Sequence, residues 1–202
     1  MALHKQPVKN GLRWIALIVV VILSFGPILM IVLSSFKLER DIFTYVPKLI
    51  ATPTLNNYAA LIKNWPEFFR SLGTSGIVTL ATSALVVVLS LPAAYSYSRM
   101  CARGLSATSV FLIGVRMFPP IIITIPLYPV FRALYIIDTP IALILVYAAF
   151  QVSMSVMLLK AFIDGISTEI EEQARIDGCS RAQAFLRVVL PLMAPGVIAV
   201  II

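Results

Sequence analysis

The chain has 202 residues, of which 60% are hydrophobic and 12% are charged. A soluble domain carries about 25% charged residues, so the composition excludes an ordinary soluble protein and predicts a membrane protein. The net charge of +7 does not indicate nucleic-acid binding, because the basic residues lie beside apolar segments, where they match lipid headgroups and topology signals. One histidine, His4, and two isolated cysteines, Cys101 and Cys179, predict no metal site, no histidine-based catalysis and reduced thiols.

Apolar and polar segments alternate along the whole chain. The predicted segments are, in order, a cytoplasmic tail (1–13), a first span (14–36), an extracytoplasmic loop (37–70), a second span (71–98), a third (105–131), a fourth (139–159), a cytoplasmic loop (160–190) and the start of a fifth span (191–202). The first span is too long for a cleavable signal peptide, because about 20 apolar residues suffice to cross the hydrocarbon core. The last segment is too short to cross, so we expect a chain truncated at its C-terminus.

The polar interval from Glu169 to Pro191 has the pattern of two short helices. Thr168-x-x-Glu171 and Ser180-x-x-Gln183 both have the spacing of a helix capping box. Asp177-Gly178 between them predicts a turn, since glycine tolerates positive φ. We call residues 169–191 the elbow.

The second half of the elbow has an apolar stripe at helical spacing, formed by Ala182, Phe185, Leu186 and Val189. The stripe predicts a compact helical elbow on a membrane surface, with one face left for a partner. The alternative is a solvated connector between two spans.

The elbow resembles the EAA motif of ABC importer permeases: EAA, three residues, Gly, nine residues, Ile, one residue, Leu-Pro. The matching residues are Glu172, Gln173, Ala174, Gly178, Val188, Leu190 and Pro191. Gln173 replaces the middle alanine and Val188 replaces isoleucine, while the spacing is intact. The resemblance implies that the elbow docks on a cytoplasmic ATPase subunit, with Asp177 beside Gly178 in the coupling turn.

Four shorter stretches resemble the carbohydrate-uptake branch of these permeases, the maltose-type second permease subunit. They are Pro53–Tyr58, Leu91–Arg99, Arg116–Pro120 and Ile137–Pro140. The implied fold is an all-α, polytopic transmembrane helical bundle, a type I ABC importer permease, with about five spans present of an expected six.

The same resemblance implies a set of partners and a location. The partners are a different permease subunit, two cytoplasmic ATPase subunits, an extracytoplasmic solute-binding protein and the lipid membrane, without nucleic acid. The location is the cytoplasmic membrane of a bacterium or archaeon. No Gly-x-x-x-x-Gly-Lys-Ser/Thr sequence occurs, so this chain binds no cofactor and the partner subunits use the ATP.

The orientation follows from two arguments. Nine Lys and Arg residues fall in the predicted inner segments and six in the outer loops, which weakly favours a cytoplasmic N-terminus. The EAA resemblance puts the elbow inside, and four spans return the N-terminus to the same side.

Arg116, Pro119 and Pro120 are candidates for the translocation path. Proline removes a backbone donor, and a broken membrane helix is tolerated where it faces protein or a water-filled path. The alternative is a static kink, with Arg116 in a structural ion pair or extending to the interface.

Two rival functions stay open at this stage. An ABC permease for another solute, such as an amino acid or phosphate, shares the elbow. A membrane-embedded enzyme needs catalytic groups at membrane depth, and the predicted spans contain no Asp, Glu or His. We therefore expect no catalytic residue.

Overall fold

The computed structural model describes residues 7–44, 52–100 and 104–202. The helices in this part of the chain are α1 (Pro7–Ser35), α2 (Glu39–Ile42), α3 (Asn56–Asn64), α4 (Pro66–Arg99), α5 (Leu105–Arg116), α6 (Pro120–Ala133), α7 (Pro140–Asp164), α8 (Thr168–Ile176), α9 (Arg181–Ala184), a π-helical turn (Phe185–Val189), α10 (Leu190–Leu192) and α11 (Ala194–Ile201). No strand occurs among these residues, which confirms the all-α class. His4 and Lys5 of the predicted tail, Pro47 and Lys48 of the predicted outer loop, and Cys101 lie outside the described residues.

Three helices are long and apolar enough to cross a membrane: α1 from Arg13 to Ser35, α4 and α7. The pairs α5–α6 and α9–α11 pass the same length and composition test only if each bent pair counts as one span, which gives up to five. The helices therefore define a multi-pass membrane protein, in which backbone groups are satisfied within each helix.

The chain forms two compact units, residues 1–71 and 72–202. In the first unit, the stretch Pro53–Tyr58 caps the end of α1, where helix carbonyls lack partners within the helix. Asn57 Nδ2 donates to the carbonyls of Ser35 at 2.9 Å and Lys37 at 2.7 Å. The Tyr58 hydroxyl lies 2.7 Å from Ser35 Oγ. This sugar-branch stretch thus has a structural role in terminating α1.

In the second unit, the core lies where α4 and α7 meet the elbow and the helices after it. Its buried residues are Ala94, Tyr95, Val156, Leu159, Ile163, Val189 and Met193. Gly196 of α11 extends this packing to α7, because a Cβ there would lie only 2.6 Å from Phe162 Cγ. Small residues let membrane helices approach closely, which explains the glycine at this position.

The predicted third span, 105–131, is two helices rather than one. The axes of α5 and α6 differ by 95° at a break between Arg116 and Pro120. Pro120 begins α6, and Pro119 has the extended φ and ψ of −56° and 135°. A proline restricts the residue before it to such extended conformations, so Pro120 prevents helical continuation through Pro119.

Candidate functional site

The elbow contains the two helices that its capping residues predict. At the end of α8, Gly178 adopts φ +93°. Its N–H donates to the carbonyl of Arg175 at 3.1 Å, and the N–H of Cys179 donates to the carbonyl of Ala174 at 3.0 Å. This pair of bonds is a Schellman motif, which ends a helix at a residue with left-handed conformation and favours glycine there.

The second capping box is confirmed. Ser180 Oγ accepts from the N–H of Gln183 at 3.3 Å, and Gln183 Oε1 accepts from the N–H of Ser180 at 2.9 Å. The two reciprocal bonds satisfy N–H groups that have no partner within a helix, and so fix the start of α9.

The first predicted capping box is wrong. Ser167, not Thr168, is the N-cap of α8, and its hydroxyl accepts from the N–H of Glu169 at 3.3 Å. Glu171 does not return to the start of its own helix. It points into the protein and binds Arg99, because an ion pair in a buried site is stronger than a bond to an exposed N–H.

The buried centre of the site is a cluster of three polar side chains, Tyr95, Arg99 and Glu171, which we call the clamp. Arg99 Nε donates to Glu171 Oε1 at 2.5 Å, and the Tyr95 hydroxyl donates to Glu171 Oε2 at 3.0 Å. The side chains of Arg99 and Glu171 are only 12% and 9% exposed. Both carboxylate oxygens therefore have a partner, as a buried charge requires.

Arg99 also binds the end of α7. Its Nη2 donates to the carbonyls of Ile163 at 3.0 Å and Ile166 at 2.7 Å. Beside it, Ser98 Oγ donates to Asp164 Oδ1 at 2.6 Å. One guanidinium thus joins the ends of α4 and α7 to α8, which its fork of donors allows and a lysine would not.

Apolar packing below the clamp joins the second half of the elbow to the same helices. The rings of Tyr95 and Phe185 lie 4.7 Å apart between centroids, and Val189 is fully buried. The predicted stripe is half wrong, because Ala182 and Leu186 are exposed whereas Ala184 is buried. The π-helical turn explains the shift: its wider spacing puts Ala184 and Val189, five residues apart, on the buried face.

Four residues of the EAA match, and Asp177 beside them, lie on the surface of the elbow. Glu172, Gln173, Asp177, Gly178 and Pro191 are exposed; Ala174 and Leu190 are half-buried. Ile176 is 85% exposed beside the turn. A cavity of about 170 Å³ lies next to this face, lined by the clamp together with Met100, Thr168, Glu172, Arg175 and Arg181. An apolar tip ringed by charges is a surface that a protein partner can cover.

Arg116, Pro119 and Pro120 lie at the bend between α5 and α6, separate from the elbow cluster. The Arg116 guanidinium is exposed and contacts Met154 Sδ on α7. Among the described residues it has no ion-pair partner, so the predicted structural ion pair is absent there.

Sequence reasoning missed the clamp. In the sequence, Arg99 is only the last residue of the Leu91–Arg99 stretch, just after the predicted second span, and Glu171 is only a predicted capping residue. Their separation is 72 residues, beyond the reach of any local pattern. One signal was available: Tyr95 and Arg99 are four residues apart, hence on one face of α4.

The fold and the site together define a multi-pass α-helical membrane protein with an elbow anchored beneath two of its spans. The sequence profile of a family described as "binding-protein-dependent transport system inner membrane component" matches residues 87–202. The chain belongs to this family, whose members are transport components and not enzymes.

Three curated relatives are similar over most of this chain. The sulfoquinovosyl glycerol transport system permease protein SmoH of Agrobacterium fabrum is 32% identical, over 92% of this chain and 65% of that protein. The inner membrane ABC transporter permease protein YcjP of Escherichia coli is 30% identical, over 100% and 73%. The trehalose transport system permease protein SugB of Mycobacterium tuberculosis is 33% identical, over 73% and 54%. The chain spans about two thirds of the length of the first of these relatives.

A solved structure shares the fold. It is a bacterial ABC transporter involved in the import of the acidic polysaccharide alginate, matched with a TM-score of 0.75 over 100% of this chain and 71% of that chain, at 18% identity. This likeness confirms the permease type of helical bundle.

Proposed function

We propose that this chain is the transmembrane permease subunit of a binding-protein-dependent ABC importer for a sugar or oligosaccharide. The observation that carries the proposal is the elbow: a pair of short helices, anchored by buried contacts on one face and exposing Glu172, Gln173 and Gly178 on the other. The names of SmoH, SugB and the diacetylchitobiose permease DasC of Streptomyces coelicolor support the sugar class.

The proposed partners follow from this role. The exposed face of the elbow contacts one of two cytoplasmic ATPase subunits, which bind and hydrolyse the ATP. A second permease subunit completes the path, and an extracytoplasmic binding protein delivers the solute. The elbow and the N-terminus then lie on the cytoplasmic side.

The bend at Arg116, Pro119 and Pro120 is the proposed part of the solute path. Its support is geometric: α5 and α6 form a 95° break, and the exposed Arg116 guanidinium beside it contacts only Met154 Sδ among the described residues. A broken helix with a charged side chain is tolerated in a membrane where it faces protein or water and not lipid. A direct contact between Arg116 and a sugar hydroxyl is chemically suitable, since guanidinium offers five donors.

A pull-down from native membranes in mild detergent tests the elbow. We compare four versions of the chain: the intact chain, a chain with residues 169–191 replaced by a Gly/Ser linker, the single variant Glu172→Ala and the single variant Glu169→Ala. Glu169 is exposed on the same helix but outside the EAA match, so Glu169→Ala is the matched control. An ATPase subunit that co-purifies with the intact chain and the control, and is lost with the linker, supports the proposal.

Retention of the ATPase by the linker variant, or its absence from the intact chain, contradicts the coupling role. Uptake of labelled sugars, amino acids and phosphate by cells that express the transporter separates the sugar importer from a permease for another solute.

A further inference from the structure

We propose that Arg99 is a positioning residue that makes α8 and the ends of α4 and α7 move as one body when the ATPase moves the elbow. This inference rests on the proposed function, and it assigns the transmission to a single buried ion pair. Its prediction is that the distance between α8 and α4 stays constant through the ATP cycle.

The first support is how α8 is held. The structure describes all nine residues of α8, and the only one it buries is Glu171. Ile170 and Ile176, its large apolar residues, are 41% and 85% exposed. Helix α8 thus lacks the apolar anchor that normally fixes a surface helix, and a charged side chain takes that place.

The second support is that the clamp resists opening. Separating Arg99 from Glu171 leaves two largely buried side chains with uncompensated charges, which is strongly unfavourable. Tyr95 holds the second carboxylate oxygen, so the carboxylate cannot rotate to a new partner without losing this bond as well. A push on the elbow therefore moves α4 with it.

The third support is the number of elements that meet at one side chain. The guanidinium belongs to α4 and binds the Glu171 carboxylate on α8, the carbonyl of Ile163 in the last turn of α7 and the carbonyl of Ile166 in the link between α7 and α8. By contrast, Lys160 and Asp164 form a part-exposed pair four residues apart within α7. Lys160 bonds only to Asp164 of its own helix, whereas Asp164 also accepts from Ser98 of α4, so Lys160→Met offers the matched control: it removes a similar charge without removing a contact to a second helix.

The experiment uses nitroxide labels in the whole transporter, reconstituted in liposomes, and needs no knowledge of the solute. With Cys101 and Cys179 replaced by serine, the labels occupy Glu169→Cys on α8 and Val88→Cys on α4, both exposed positions. Pulsed electron spin resonance gives the distance distribution without nucleotide and after trapping with ATP and vanadate. The variants are Arg99→Met, Arg99→Lys, Glu171→Gln and the control Lys160→Met.

We expect a single narrow distribution, the same in both states, for the unsubstituted chain and for Lys160→Met. Arg99→Met and Glu171→Gln should broaden the distance distribution and shift it on trapping. Arg99→Lys should broaden and shift it less than Arg99→Met does, since lysine keeps the charge but not the several donors of the guanidinium. A merely stabilising role would lower the yield without any nucleotide-dependent shift.

Two results would overturn the proposed role of Arg99. One is a shift of the distance distribution on trapping in the unsubstituted chain. The other is unchanged distributions in Glu171→Gln and Arg99→Lys, which are mild enough to fold even if Arg99→Met does not. Loss of the ATPase from the unsubstituted preparation would instead overturn the proposed function.

Discussion

Helices α4 and α7 are packed differently at two levels, the first at their ends beside the elbow and the second farther along the same helices. At the elbow, Leu159 and Ile163 are fully buried and the polar groups of the clamp all have partners. Further along the same helices, an open cavity of about 320 Å³ is lined by polar and apolar side chains. The polar ones are Thr79, Thr82, Ser83, Tyr147 and Gln151, and the apolar ones are Val86, Phe150 and residues 200–202. The buried core at the first level, which we call the joint, is closely packed around Tyr95, Leu159, Ile163 and Val189. The second level keeps both polar and apolar side chains around open space.

This difference teaches where the chain depends on fixed geometry. Closely packed side chains cannot slide past one another, so the apolar core of the joint depends on fixed geometry, although a cavity of about 170 Å³ borders the clamp. A cavity in a permease can leave hydrogen-bonding groups without protein partners. Substitutions at the two levels should therefore differ in size, from several kcal/mol at the joint to nearly nothing at the cavity.

The largest loss of stability is expected from a substitution at Leu159. Leu159→Ala empties a fully buried site between α7 and the elbow, which costs about 2–5 kcal/mol in a well-packed core. Leu145→Ala, at an exposed position of the same helix, is the matched control and should cost much less. Thermal unfolding in detergent measures both; equal losses would mean that the joint is no better packed than the rest of α7.

A smaller loss is expected at Gly196. The added methyl of Gly196→Ala would lie 2.6 Å from Phe162 Cγ, and overpacking of this kind costs about 1–3 kcal/mol. Gly76→Ala in α4 meets no atom within 4 Å, so it should be neutral or stabilise the helix. Thermal unfolding in detergent measures both variants. A Gly196→Ala variant more stable than the unsubstituted chain would show that α7 and α11 are not in close contact.

A substitution at Gly178 should act through the backbone conformation and not through side-chain packing. A side chain there meets no atom within 4 Å, but φ is +93°, and a left-handed conformation costs a residue with a Cβ about 1–2 kcal/mol. Gly178→Val should deform the turn, reduce ATPase co-purification and uncouple ATP hydrolysis from uptake, whereas Gly178→Asn should stay closer to the native protein. Native uptake by Gly178→Val would remove the turn from the coupling role.

The sequence predicted the parts of the joint that depend on local chemistry. Gly178 and the Ser180–Gln183 box act within a few residues, so their spacing was sufficient. The pairing of Arg99 with Glu171 depends on how α4 and α8 meet in three dimensions, and no local period encodes it. The predicted apolar stripe is half wrong for a related reason: the π-helical turn buries Ala184 and exposes Leu186, and the 3.6-residue period does not encode that turn.

The smallest change in stability is expected from a substitution at the cavity of about 320 Å³ between α4 and α7. Thr82 Oγ1 is the buried side-chain atom without a hydrogen-bond partner among the described residues. Replacing an unpaired polar group by an apolar one of the same shape removes its desolvation penalty, so Thr82→Val should change the unfolding temperature little or raise it. Ser155→Ala is the contrasting variant, because Ser155 Oγ donates to the carbonyl of Gln151 at 3.0 Å and loses that bond. A marked destabilisation by Thr82→Val would mean that its hydroxyl has a partner in the assembled transporter. The cavity level would then be as tightly specified as the joint, and the contrast between the two levels would fail.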